Sequence, residues 1–208
     1  MDRRLRVFYI RMTLWYLEAM LPGMAAALGL FLCLWPWRKR RLAAAGLSSA
    51  GCREAAMVLL WLFSGGMAAL TLLPSDWVNP LANLRYGLPF GPFFSPGSVN
   101  LVPFATLELG HQTRFTRYIL LGNIFMFVPF GFFASLLWRE YTWKRALGTG
   151  FAVTGLIECW QLCIGRAFDI DDLLLNALGV LCGFWICTTP RRRAADFAGT
   201  FQVRPCKE

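Results

Sequence analysis

Five apolar blocks, each about as long as a helix needs to cross a bilayer, constrain this chain more than any other feature. They run Leu14–Trp35, Ala55–Leu73, Tyr118–Trp138, Ala146–Ile164 and Leu173–Thr189. About 20 apolar residues span the hydrocarbon, and runs of about 18 or more are candidates. Apolar residues gathered in blocks, rather than spaced along helical stripes, are not explained by one soluble core. Composition agrees: 57% of the 208 residues are hydrophobic and 16% charged, against roughly 25% charged in soluble domains. The expected fold is an all-α, polytopic helical membrane bundle, one domain over residues 1–208, with about five spans. The first span is the weakest, because it holds Glu18 and the helix-breaking pair Pro22–Gly23. If Val7–Met20 is instead an interfacial helix, four spans remain.

An Arg-rich start before an apolar stretch also has the outline of a signal peptide. The stretch is too long, and the basic run Arg38–Arg41 follows it in place of a small-residue cleavage site. A retained first span is expected. A net charge of +9 would suggest nucleic acid in a soluble chain. Here most basic residues stand just beyond the apolar runs, between Trp37 and Leu42, Arg139 and Arg145, and Arg191 and Arg193. That placement suits anionic headgroups, so membrane lipids are expected as partners and nucleic acid is not. With five spans, thirteen basic residues share the side of the first and third loops and the tail, and eight share the other. The positive-inside rule puts the thirteen in the cytoplasm, although Arg3, Arg4, Arg6 and Arg11 pull the other way.

The seven cysteines include no CxxC pair and read as small buried apolar side chains. His111 is the only histidine, so one chain cannot build a His-based metal site. No metal and no cofactor are expected. The second loop, Pro74–Arg117, is 44 residues long and rich in Pro and aromatic residues. Loops of that length are functional or disordered, and this one is too apolar for disorder. Trp77, Tyr86, Phe90, Phe93, Phe94 and Phe104 suit the headgroup level. Two readings stay open: an ordered cover over a site, or a passive aromatic collar.

The most informative pattern lies in the last two spans. Gly150, Thr154, Glu158, Gln161 and Gly165 recur every three or four residues and share a helical face. Asp169, Asp172, Asn176, Gly179 and Gly183 do the same. A short turn holding Gly165 and Arg166 joins the two helices, so antiparallel packing would bring these faces together, with Gly179-x-x-x-Gly183 allowing close approach. An ionised side chain at mid-bilayer costs roughly 3 kcal/mol or more, so such groups face the protein interior and are paired. Arg166 is placed to pair with Asp169, Asp171, Asp172 or Glu158, which would make the group a structural ion-pair network. Asp169 also suits an N-cap, with Asp172 three positions on in a capping-box-like arrangement. Neither explains why Glu158, Gln161, Arg166, Asp169, Asp171, Asp172 and Asn176 gather at one end of one hairpin. A functional polar pocket is the other reading. Asn123, followed by Pro129 and Gly131 in a helix that is expected to kink, either completes the pocket or bonds a neighbouring helix.

In order along the chain stand Ser98 to Phe104 (SVNLVPF), Gly122 to Gly131 (GNIFMFVPFG), Glu158 to Gln161 (ECWQ), and Gly165 to Asp172 (GRAFDIDD) followed by Asn176 and Gly179. This ordered set resembles the VanZ-like membrane-protein family, over a core of about residues 100–183. The resemblance marks Asn100 and Pro103 as a loop motif, together with Asn123, Pro129, Gly131 and the polar residues of the hairpin. It implies a multi-pass protein of the bacterial cell membrane, linked to the cell envelope or to resistance against teicoplanin-type glycopeptides. It supplies no catalytic residues, so these are unknown.

Three functions follow as expectations. The first is a pocket that recognises an amphiphile, such as a lipid or a lipid-bearing glycopeptide, with aromatic residues at its entrance and Arg166 and the acids at the polar head. The second is an intramembrane enzyme acting on a lipid headgroup through the Glu158, Asp169, Asp171 and Asp172 carboxylates. The third is a transporter or its subunit, which lacks the support of an internal repeat.

Overall fold

In hydrocarbon a backbone must close its own hydrogen bonds, so apolar runs of this length fold as helices. The computed structural model describes residues 3–105, 114–191 and 200–205. Six helices lie among them: α1 (Arg3–Ala44), α2 (Gly51–Thr71), α3 (Pro80–Tyr86), α4 (Arg114–Leu137), α5 (Trp143–Cys163) and α6 (Ile170–Arg191). Among the described residues, the strands form two pairs of two-residue strands, β1 (Leu47–Ser48) with β4 (Arg204–Pro205) and β2 (Val99–Asn100) with β3 (Phe168–Asp169). Among the described residues, four helical segments are long and apolar enough to cross a membrane: Val7–Ala44, Gly51–Thr71, Leu120–Leu137 and Ile170–Thr189. The fifth expected span is the helix α5, as long as α2 at 21 residues. It falls short on composition because its buried face carries Thr154, Glu158 and Gln161.

The first span is not broken. α1 runs unbroken through both Pro22 and Pro36, so neither a stop at Pro22–Gly23 nor a separate Val7–Met20 helix is found. Membrane helices tolerate proline where neighbouring groups satisfy the freed backbone. Gly23 has a different use from the one its sequence position suggests. A Cβ on Gly23 would strike the Gly65 carbonyl, and one on Gly65 would strike the Gly23 carbonyl. The two glycines are the crossing point of an antiparallel α1–α2 pair, which continues through Phe31 against Trp61 at 5.8 Å. It ends where Glu54 accepts from Trp35 Nε1 at 3.1 Å and pairs with Arg38.

α4 and α6 form the closest joint, and they run parallel. A Cβ on Gly131 would meet the Val180 carbonyl, one on Gly179 the Ile124 carbonyl, and one on Gly183 the Val128 carbonyl. The Gly179–Gly183 spacing therefore serves α4, not α5 as the hairpin geometry suggested. α5 packs antiparallel on α6 through Gly150 against Ala177 and Val180. Pro129 lies within the continuous α4. Met67, Phe127, Ala146, Ile157 and Val180 form the core where α2, α4, α5 and α6 meet.

The end of the bundle at the α1–α2 corner is closed by the tail. Leu47 pairs with Pro205 and Ser48 with Arg204. Arg53, only 6% exposed, donates to the Leu137 carbonyl at 2.6 Å and the Phe201 carbonyl at 2.8 Å. Gln202 donates to the Leu136 carbonyl at 3.0 Å. Arg53 is thus a cap on the end of α4, where its charge suits the helix dipole, and is no headgroup-facing cation. The cysteines also depart from expectation. Of those described, Cys187 is buried and Cys182 half-buried, while Cys33, Cys52, Cys159 and Cys163 lie on the outer surface. An outer surface in contact with lipid tails is as suitable as a core for such a side chain.

Candidate functional site

The site is assembled at the opposite end, around the turn from α5 to α6. α5 ends at Cys163, and Gly165 shortly after it has a left-handed φ of 76°, which suits glycine. The last carbonyls of a helix lack intrahelical partners, and here the aromatic loop supplies some. Ser95 N donates to Cys163 O at 3.1 Å and Gly97 N to Leu162 O at 2.9 Å. Phe168 N returns a bond to Ser98 O at 2.8 Å, and β2 then runs parallel to β3. An aromatic chain ties the rest of this loop to the helix: Trp77 to Phe90 at 4.6 Å, Trp77 to Phe93 at 5.8 Å, Phe93 to Phe94 at 5.1 Å and Phe94 to Trp160 at 6.2 Å. His111 lies outside the described residues.

This docking makes a test. A Cβ on Gly97 would meet the Arg166 carbonyl and lie 3.0 Å from Leu162 Cα. Gly97→Val is expected to release the loop and open it to protease between Leu88 and Asn100, at a rate well above wild type in membranes. Equal protection in the two proteins would show that the loop is not held by this contact.

The acids divide into two groups. Asp169, immediately before α6, accepts from Asp171 N through Oδ1 at 2.9 Å, as an N-cap does. Its own N–H is taken by Glu158 Oε2 at 2.9 Å. The capping box is therefore completed from the neighbouring helix by Glu158, and not by Asp172. Asp171, 1% exposed, accepts from Phe104 N at 2.6 Å, where Phe104 adopts a φ of 66°. Asp172 turns the other way and accepts from the Asn123 side chain. Of the loop motif, Asn100 is half-buried and accepts from Val102 N at 3.2 Å, and Pro103 is exposed.

Of the two readings, the ion-pair network around Arg166 is not formed among the described residues. Arg166 Nη1 donates to Leu70 O at 2.7 Å, Gln161 Nε2 to Thr71 O at 3.1 Å and Trp160 Nε1 to Leu72 O at 2.9 Å. Three side chains from the end of α5 and the turn after it thus cap three successive carbonyls at the end of α2. Burial holds the Arg166 guanidinium below its ordinary pKa, while the charges of Glu158 and Asp172 pull it back up. Arginine stays charged in such settings.

A cavity of about 650 Å³ opens beside this cluster, within the range of about 300–1,000 Å³ usual for ligand sites. Glu158, Gln161, Arg166, Asp172, Asn176 and Asn123 all line it. Asp169 and Asp171 do not, and belong to the turn that supports it. Glu158 is 1% and Asn176 6% exposed, and Asn176 Oδ1 has no hydrogen-bond partner among the described residues. Most of the remaining wall is apolar. It includes Leu17 of α1 and Leu121 and Phe125 of α4, whose exposures of 53%, 53% and 66% place them at an open mouth. At the rim α1 touches α4 through Thr13 Oγ1 and Tyr118 OH, 2.8 Å apart, and through Tyr9 and Tyr118, 5.1 Å between rings. The α1 wall, with Thr13 and Tyr16, carries no signal in the sequence that would have marked it. Among the described residues no three of His, Cys, Asp and Glu are grouped to hold a metal ion.

A family model described as VanZ/LLP1 matches residues 55–191. The match takes in nearly all of α2 and reaches the end of α6, and is wider than the stretch 100–183 over which the motifs lie. No curated protein and no solved structure matches the chain.

Proposed function

From the premise that this chain belongs to the VanZ/LLP1 family and is an integral membrane protein, we propose that it binds an amphiphile of the cell envelope in the cavity lined by α1, α2, α4, α5 and α6. The observation that supports this most is the division of one cavity into a polar floor, with Glu158, Arg166, Asp172 and Asn176, and an apolar mouth, with Leu17, Leu121 and Phe125. Such a division matches a molecule with a polar head and a hydrocarbon tail. We place the protein in a bacterial plasma membrane, with the α5–α6 turn on the outer side and the α1–α2 corner in the cytoplasm. In that setting the ligand is a membrane lipid or a lipid-bearing glycopeptide, and the link to glycopeptide resistance follows from its capture.

Native mass spectrometry of the full chain extracted in mild detergent tests the reading. A co-purifying amphiphile is expected, with occupancy reduced in Leu121→Trp, which fills the mouth. Occupancy unchanged in that variant would place any bound amphiphile elsewhere and overturn the proposal. For the orientation, Arg41→Cys in a cysteine-free chain should stay unlabelled by an impermeant thiol reagent on intact cells. Labelling there would invert it.

A second reading, an enzyme acting on the headgroup, draws on the presence of Glu158 and Asp172 in the same cavity, where one acid and one base would serve proton transfer. Release of a labelled headgroup by the purified protein, lost in Asp172→Asn, would favour it.

A further inference from the structure

The amphiphile reading leaves the headgroup chemistry open, and the charges and hydrogen-bonding groups of the cavity narrow it. The lining includes one cation, Arg166, and two carboxylates, Glu158 and Asp172. A purely anionic headgroup would set its charge against two acids, and a purely cationic one would set its charge against Arg166. Asn176 adds the decisive group. The residue lines the same cavity, and its side-chain oxygen is buried without a hydrogen-bond partner among the described residues. A buried acceptor left unsatisfied is costly, so it marks a place where a donor belongs. Asn176 lies one helical turn beyond Asp172 and so on the same face of α6. The floor therefore has neighbouring acceptors on α6, joined by Glu158 from α5, beside a single guanidinium.

We infer that the cavity takes an amphiphile whose headgroup carries a primary ammonium next to a phosphate, of the phosphatidylethanolamine type, with its tail leaving between α1 and α4. The phosphate meets Arg166, whose planar fork suits it. The ammonium, with three N–H donors like that of lysine, meets Asp172, Asn176 and Glu158. A quaternary ammonium has the same charge and no N–H to give. The tail passes Leu17, Leu121 and Phe125, along the gap that the Thr13–Tyr118 contact closes at the rim.

The inference rests on the amphiphile reading, and one titration separates the two. The full chain, delipidated in detergent, is titrated by native mass spectrometry with phosphatidylethanolamine, phosphatidylcholine and phosphatidylglycerol of identical acyl chains. Phosphatidylethanolamine is expected to bind about tenfold tighter than either, the size expected for lost bonds to charged groups. Asp172→Asn and Asn176→Ala should each bring the three affinities close together, measured on protein that remains monodisperse and helical. Equal affinities in the wild type would overturn the headgroup assignment and leave amphiphile binding standing. Binding of none of the three at the cavity, judged with Leu121→Trp, would overturn both. Soluble phosphoethanolamine binding as tightly as the whole lipid would overturn the role given to the tail.

Discussion

Gly179→Val is expected to abolish recovery of folded protein. The Cβ it adds would strike the Ile124 carbonyl and stand 3.0 Å from Phe127 Cβ, so backbone, not a flexible side-chain tip, must give way. Overpacking a well-filled interior costs about 1–3 kcal/mol and more where the neighbour cannot move, against a total stability of about 5–15 kcal/mol. The joint has no slack elsewhere, because Gly131 and Gly183 make equally close contacts between α4 and α6. Prising the helices apart would also part Asn123 from Asp172. Valine is slightly better than glycine inside a helix, so the loss would come from the contact and not from helix propensity. Gly148→Val is the control, since nothing lies within 4 Å of a Cβ there. Size-exclusion profiles and thermal unfolding in detergent decide the matter. A Gly179→Val melting temperature within a few degrees of wild type would contradict the parallel α4–α6 joint.

Glu158→Gln is expected to have the largest effect on function with little effect on abundance. Glu158 is almost fully buried, and its Oε2 accepts from Asp169 N. A glutamine keeps the volume and an oxygen for that bond, and removes the charge that faces the cavity. The variant should reach normal membrane levels while losing at least about tenfold in ligand affinity, the scale of a lost charged hydrogen bond. Any resistance the wild type confers should be lost with it. Glu158→Ala is different: it strands the Asp169 N–H beside a new void, at a cost of about 1–3 kcal/mol for the unpaired donor alone, and protein levels should fall. Undiminished binding by Glu158→Gln at normal abundance would remove Glu158 from the working site.

Much of this arrangement is legible in the residues, and the illegible part has a physical pattern. Length and apolarity depend on composition alone, so the helical bundle and its spans can be read directly. The polar face of α5 is equally plain, because Thr154, Glu158 and Gln161 repeat at helical spacing and are buried together. What periodicity does not carry is the identity of a partner. Gly179 and Gly183 announce a close approach without saying that α4, and not the adjacent α5, makes it. Gln161 and Arg166 read as members of an acid–base cluster, yet they bond to backbone carbonyls at the end of α2, some 90 or more residues away in the chain. Carbonyl acceptors leave no trace in a sequence. Gly23 misleads for a related reason: beside Pro22 it reads as a break, while its lack of a side chain is used for contact with Gly65.

The clasp that closes the α1–α2 corner bears on the order in which the chain can be built. Ser48 and Arg204 lie 156 residues apart, and Arg53 waits for Phe201 before both of its acceptors are in place. Contacts so distant in sequence form late, since the loop they close must be paid for in entropy before they yield anything. During synthesis, then, the α1–α2 hairpin is made before either of the carbonyls that Arg53 meets, Leu137 and Phe201, exists. Only once residues 200–205 have been made can that end be sealed, so the clasp forms later than the α1–α2 hairpin it closes.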